Sequence, residues 1–152
     1  KPEGKRVQVI TNGGGYGILA IDALEGSGLP LAVLSARSKE KLKGHMPKIV
    51  SVNNPLDLVG DATDARYDLA LQVCVADKNV DVILLIILHQ TPLLTERIVD
   101  VVKKYHGQKP IVVISTGGKQ TKLLSERLER DGFPVFSFPE TAVQALNKFL
   151  KG

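Results

Sequence analysis

Seven consecutive apolar residues, Val82-Ile83-Leu84-Leu85-Ile86-Ile87-Leu88, restrict this chain more than any other stretch. They show no apolar–polar alternation, so neither face of the segment is suited to water, and their β-branched content favours a strand over a helix of the same length. A strand buried on both faces belongs inside a parallel sheet with helices on either side. The rest of the chain alternates accordingly. Strands are expected at 7–10, 31–34, 82–88, 111–115 and 135–138. Helices are expected at 18–24, 39–43, 65–77, 92–105, 119–131 and 139–150. Five strands with helical crossovers predict an α/β fold, a flavodoxin-like doubly wound five-stranded parallel sheet in the order 2-1-3-4-5. That order makes strands 1 and 3 neighbours whose following helices lie on opposite faces, and the crevice between them is where open α/β sheets bind ligands.

Two loops reach this crevice. The first, Thr11-Asn12-Gly13-Gly14-Gly15-Tyr16-Gly17, joins the strand at 7–10 to its helix. Backbone N–H groups of such a turn, with no β-carbons to block approach, point at a negative ligand, and the helix start adds unpaired donors and partial positive charge. A dinucleotide fingerprint starting at Gly13 needs a small residue where Ile18 stands, and an acid after the second strand where Ser35-Ala36-Arg37 stands. A Walker loop needs Gly-Lys-Ser/Thr, but Gly15 is followed by Tyr16 and Gly17. The plain alternative is a tight turn, which asks for one or two glycines with positive φ rather than four in five positions. The second loop is His89-Gln90-Thr91-Pro92, in which Thr91 is a suitable cap and Pro92 a suitable first helical residue. Two helix N-termini are therefore expected to converge on one anion. His89 stands at the mouth of the site, whereas His45 and His106 read as surface positions. The histidines, Cys74 and the acids show no metal-binding spacing, and a receiver-type site lacks its acids at Thr11-Asn12 and His89-Gln90.

Length and composition bound the partners. The 152 residues, 43% hydrophobic and 24% charged, fit one domain at 7–152 behind a polar Pro/Gly-containing linker at 1–6. The net charge of +4 is spread over helix surfaces and its densest cluster, Lys39-Glu40-Lys41-Leu42-Lys43, is interrupted by an acid, so nucleic acid is not an expected partner. The run 82–88 is too short to span a bilayer, and no membrane association is expected. A single cysteine, Cys74, in a helical apolar pattern reads as a core residue and suits a reducing cytoplasm. The chain opens on Lys1 rather than Met and reads as a piece of something longer.

Five segments in order, Val9-Ile10-Thr11-Asn12-Gly13-Gly14-Gly15, Asn54-Pro55-Leu56-Asp57-Leu58, Asn79-Val80-Asp81-Val82 leading to Gln90-Thr91-Pro92, Lys109-Pro110-Ile111-Val112, and Pro139-Glu140-Thr141-Ala142-Val143, carry a resemblance. Together they resemble the C-terminal flavodoxin-like domain of the CoA-binding (alpha) subunit of nucleoside-diphosphate-forming acyl-CoA synthetases. That domain is similar to the C-terminal domain of the succinyl-CoA synthetase beta subunit. The resemblance covers essentially the whole chain. It implies part of an acid–CoA ligase that converts acid, CoA and ATP to acyl-CoA, ADP and phosphate through an acyl phosphate and a phosphohistidine.

In that reading Asn12, Gly13, Gly14, Gly15, Gln90, Thr91 and Pro92 bind the carboxylate, phosphoryl or acyl phosphate group, with Tyr16, Asp57 and His89 as neighbours of those contacts. Tyr16, Ile18 and Leu93 contribute to acid specificity. The implied role is electrostatic, with no catalytic side chain in this chain. The family's Ser-His-Thr-Gly phosphohistidine segment is absent, as are its CoA-binding and ATP-grasp domains. The implied partners are therefore those parts, together with a small carboxylic acid or acyl phosphate. CoA, ATP or ADP and Mg belong to the full enzyme, this chain alone binding no cofactor. The isolated chain is expected to be inactive, as an excised domain or a separate subunit. The competing implication is a non-catalytic acyl- or anion-binding regulatory module of a synthetase-like acyltransferase.

Overall fold

The structure is a computed structural model that describes residues 4–151. Six strands and six helices follow in the order β1 (Val7–Thr11), α1 (Gly14–Gly26), α2 (Ala36–His45), β2 (Ser51–Val52), β3 (Leu56–Asp57), α3 (Asp64–Ala76), β4 (Val82–Leu88), α4 (Ile98–Lys103), β5 (Ile111–Thr116), α5 (Thr121–Arg130), β6 (Val135–Phe136) and α6 (Pro139–Lys151). One sheet holds all six strands in the order β2-β3-β1-β4-β5-β6. All seven residues of β4 are buried, and β4 lies between β1 and β5, parallel to both.

Alternate residues of β4 feed two cores. Val82, Leu84, Ile86 and Leu88 pack with α1 and α6 on one face, against Ala20, Leu24, Val143 and Leu146. Ile83, Leu85 and Ile87 pack on the other face with α2, α3, α4 and α5, against Leu42, Tyr67, Val99 and Leu128. The helices that follow β1 and β4 therefore cover opposite faces, and the crevice between β1 and β4 opens at their C-terminal ends.

The expected five-stranded, all-parallel sheet is corrected. The run β1-β4-β5-β6 matches strands 1-3-4-5 of the expected order, but the sheet has six strands and is mixed, because β2 pairs antiparallel with β3. Residues 31–34 do not form the second strand, and only Leu31 bridges to Val7. The cause is Asn54. Its Nδ2 donates to the carbonyls of Val7 and Ala32 at 2.8 and 3.0 Å, and its Oδ1 accepts from the Val9 N–H at 3.0 Å. One side-chain amide thus takes the ladder positions that a longer strand at 31–34 would have filled. Farther along β1, Ile10 and Thr11 pair with Leu56 and Asp57 of β3.

Residues 1–3 of the expected linker lie outside the described residues. Arg6, in the same stretch, holds Asp81 through its backbone N–H at 2.9 Å and its Nε at 2.8 Å. The guanidinium beside Asp81 keeps that carboxyl below the usual range. No helix among the described residues is long and apolar enough to cross a membrane.

Candidate functional site

Asn12 builds the crevice. The residue is 2% exposed and all of its amide is used. Nδ2 donates to Leu88 O and to Thr91 Oγ1, both at 3.1 Å, while Oδ1 accepts from Leu88 N at 2.9 Å. Asn12 therefore pins the end of β1 to the end of β4 and leaves no polar atom for a ligand. The Asn12 side chain thus positions the two loops relative to each other.

The glycines after it divide into two kinds. None of Gly13, Gly14, Gly15 and Gly17 has positive φ, so the tight-turn explanation fails here. A β-carbon on Gly13 would overlap Leu88 Cδ1, and one on Gly17 would stand 2.9 Å from Thr11 Cγ2 and 3.3 Å from Pro55 Cγ. These two positions are glycine because neighbouring side chains press on them. Gly14 and Gly15 are exposed, and a β-carbon on Gly15 would meet nothing within 4 Å. What distinguishes them is an uncovered backbone. Gly13 N is satisfied by Thr11 Oγ1 at 3.0 Å and Gly17 N by Gly13 O at 3.1 Å. Among the described residues nothing accepts from Gly14, Gly15 or Tyr16 N–H, and α1 has no side-chain cap. Three open donors and the positive end of a 13-residue helix thus face the crevice.

Asp57 stands beside them. Its Oδ2 lies 3.3 Å from where a Gly14 β-carbon would be, and its Oδ1 accepts from Val59 N at 3.0 Å. That bond closes a turn in which Val59 has φ 61°, the left-handed region that a β-branched residue rarely occupies. Sequence reading identified Asp57 only through its motif and missed the strained residue after it. Beneath the loop, the fully buried Tyr67 donates its hydroxyl to Ile86 O at 2.7 Å. Burial pushes that hydroxyl's pKa well above the usual phenol value. Tyr67 too was missed, having no sequence signal beyond its place in an apolar helix face.

The second loop departs from expectation. No helix starts at Thr91–Pro92: α4 spans only Ile98–Lys103, against the expected 92–105, and two helix N-termini do not converge. The Thr91 hydroxyl, needed for a cap, is spent on Leu88 O and Asn12. Thr95 then gives its N–H and hydroxyl to the Asp64 carboxylate, and Arg97 N donates to Thr95 Oγ1 at 3.1 Å. Side chain–backbone bonds outcompete the first helical turn. Gln90 turns away from the glycine loop and its side chain fills the space over Gly117, whose φ is +77°. Pro92 and Leu93 are exposed beyond it. Of this loop, only Thr91 is joined to Asn12.

His89 faces the α5 side. Its Nε2 is 2.6 Å from Ser115 Oγ, which in turn is bonded by Ser125 Oγ at 2.9 Å. Burial lowers its pKa to about 4, so the imidazole is neutral near pH 7. It lines a small hollow of about 130 Å³ with Leu94, Lys119 and Leu124, and no residue of the glycine loop is part of that lining. His45 and His106 are exposed and Cys74 is buried, as expected, with burial raising the thiol pKa to about 12.

With this geometry in place, comparison with known proteins identifies the lineage. The Ligase-CoA domain family matches residues 7–151. The alpha subunit of ADP-forming acetate–CoA ligase I of Pyrococcus furiosus is 33% identical over 158 residues, covering 99% of this chain and 33% of that protein. The alpha subunit of the isozyme II enzyme of the same organism is 31% identical, covering 95% and 33%. A Pyrococcus horikoshii crystal structure superposes with a TM-score of 0.90 at 29% identity, covering 99% of this chain and 36% of that one. A Candidatus Korarchaeum cryptofilum acetyl-coenzyme A synthetase, in complex with phosphate and ADP, superposes with a TM-score of 0.86 at 28% identity, covering 98% and 33%. The chain thus spans about a third of the length of the relatives it matches. With 145 of its residues inside one family match and the fold shared end to end, this chain belongs to the Ligase-CoA domain family.

Proposed function

We propose that this chain is a domain or subunit of an ADP- or NDP-forming acyl-CoA synthetase, acting in the conversion of acid, CoA and ATP to acyl-CoA, ADP and phosphate. Its part is to hold negative charge. The observation that carries the reading is the set of three open N–H groups at Gly14, Gly15 and Tyr16, on a helix start fixed by Asn12 at the switch point of the sheet. Donors set in place before the reaction stabilise charge that develops on a transferring phosphoryl or acyl group without reorganising, and removal of one such donor costs about 3 kcal/mol in a transition state. Family membership and a relative crystallised with phosphate and ADP support phosphate chemistry as the kind in question.

The roles within this reading follow from the contacts. Gly14, Gly15 and Tyr16 meet the carboxylate, acyl phosphate or phosphohistidine, and Asn12 and Thr91 keep the two loops in register. The Asp57 carboxylate at the edge of the donors favours a ligand that presents an N–H alongside its negative charge. In this reading Mg and nucleotide belong to the ATP-binding part of the full enzyme. The CoA and phosphohistidine sites also fall to partner domains.

A domain exchange tests this. This chain is grafted in place of the matching third of the Pyrococcus furiosus isozyme I alpha subunit and assayed for acetate- and CoA-dependent ADP formation. The graft is expected to be active, Gly14→Val to stay folded and lose acyl transfer, and the chain alone to show no turnover. An active graft in which Gly14→Val keeps near-normal turnover would overturn the anion-holding role.

A further inference from the structure

A cleft also lies away from the glycine loop. It lies at the opposite end of the sheet, where β4, β5 and β6 begin, roughly 20 Å away along β4. Its volume is about 910 Å³, enough for a ligand the size of a fused ring system or a nucleotide. Three of the chain's four phenylalanines line it, Phe133, Phe136 and Phe149, together with Pro110 and Pro134. Phe149 is 49% exposed. Phe133 meets the His106 ring edge to face at 5.2 Å between centroids, which leaves flat surfaces for a third ring.

The charges on this cleft are unequal. Asp81 is the one acid in the lining, and it is already paired with Arg6 at 2.8 Å. The Lys109 ammonium lies partly buried in the wall, donating to the carbonyls that end α3, Asp77 O at 2.5 Å and Cys74 O at 3.4 Å. Lys78 is exposed at the rim with no acid partner among the described residues. Aromatic walls with the unpaired Lys78 at the rim select a ring that carries negative charge.

We propose that this cleft is a second binding site, for a flat aromatic ligand bearing one anionic group. The site is independent of the glycine loop, so its failure would leave the proposed function standing. The probes are 2-naphthoate, the neutral 2-naphthylmethanol and the cationic 2-naphthylmethylammonium, titrated into the ¹⁵N-labelled chain. Saturable shifts are expected at Gly107, Val112, Gly132 and Phe149, in the affinity order naphthoate, alcohol, ammonium. Lys78→Glu should weaken naphthoate about three- to fivefold and leave the alcohol unchanged. Phe149→Ala, at an exposed position, should weaken both ring compounds about tenfold. Ala145→Phe, which fills the cleft, should abolish binding, and if that variant fails to fold Phe149→Ala decides alone. The proposal is overturned by an absence of saturable shifts at these residues, by shifts confined to Gly14–Tyr16, or by equal affinity for all three probes. Concentration-dependent broadening at Phe149 without any probe, relieved by Phe149→Ala, would also overturn it and make the cleft a contact between copies of this chain.

Discussion

The side-chain amide of Asn12 engages both backbone groups of Leu88, donating to its carbonyl at 3.1 Å and accepting from its N–H at 2.9 Å. A strand residue would make these two bonds with its own main chain. Here a side chain makes them where β1 has already ended, so the two strands stay locked while the backbone of residues 13–16 turns away into α1. The open N–H groups of α1 therefore owe their position to β4, which is buried along its whole length. Asn54 does the same on the other edge of β1, where its amide replaces a strand.

The positioning role of Asn12 predicts a stability cost. Asn12→Ala leaves the Leu88 N–H and C=O without their partner in a buried place, and the loss should be about 2–4 kcal/mol in urea unfolding. Asn12→Asp at neutral pH should be no better, because its second oxygen cannot donate to the Leu88 carbonyl. A residue that served only to touch ligand would change stability by less than about 0.5 kcal/mol on truncation, and that result would remove Asn12 from the scaffold.

The glycines should respond to alanine in opposite ways. Gly13→Ala places a methyl group into Leu88 and Gly17→Ala presses Thr11, so each should destabilise by about 1–3 kcal/mol. Gly15→Ala has open space around it and lies in the first turn of a helix, where alanine is preferred, so it should be neutral or stabilising by up to about 1 kcal/mol. Thermal or urea unfolding of the three variants checks the order. Equal losses at all three positions would mean that the loop is held differently.

Much of this was readable in the sequence because it rested on long-range burial. The run Val82–Leu88 has one physically sensible place in an α/β domain, and the glycine loop after 7–10 announces a strand-to-helix corner. The errors arose where a single polar side chain overrode local propensity. Leu31–Leu34 is a good strand sequence, but the Asn54 amide takes its pairing positions. Thr91–Pro92 is a good helix start, but Asn12 and Leu88 occupy the Thr91 hydroxyl and Asp64 draws Thr95 aside. Asn54, Asn12 and Asp64 are all distant in sequence from the segments they redirect. The pair Leu56–Asp57 is too short to show a period, although its motif was already singled out.

Val59 offers a cleaner test of backbone strain. At φ 61° any β-carbon is disfavoured, by about 1–2 kcal/mol. Alanine and glycine both lose the valine methyls, but only glycine relieves the strain. Val59→Gly should therefore be more stable than Val59→Ala by about 1 kcal/mol, the reverse of their usual order in regular structure. Should alanine prove the better residue, the turn closed by Asp57 does not hold Val59 in the left-handed region.

The last prediction concerns His89. Its pKa falls from 6.5 to about 4 on folding because the imidazole is largely buried beside Ser115. Between those values the unfolded chain binds a proton that the folded chain does not, so stability rises with pH across this window. Above pH 6.5 both states hold a neutral ring and the group contributes no slope. As pH falls from 6.5 the folded state loses stability, and the loss is complete near pH 4. Discounted for the part of the ring that reaches solvent, the change should be about 2 kcal/mol. The lowered carboxylates, Asp61, Asp68, Asp77 and Asp81, act in the same direction but mainly as pH falls below about 4. Urea midpoints measured from about pH 4.5 to about pH 7, above the range of those carboxylates, should fall steadily for the natural chain toward acid. His89→Asn keeps a polar group beside Ser115 without the titration, and its midpoint should stay nearly flat over the same range. If the two slopes coincide, His89 titrates as an ordinary exposed histidine and the His89–Ser115 bond is not closed in solution.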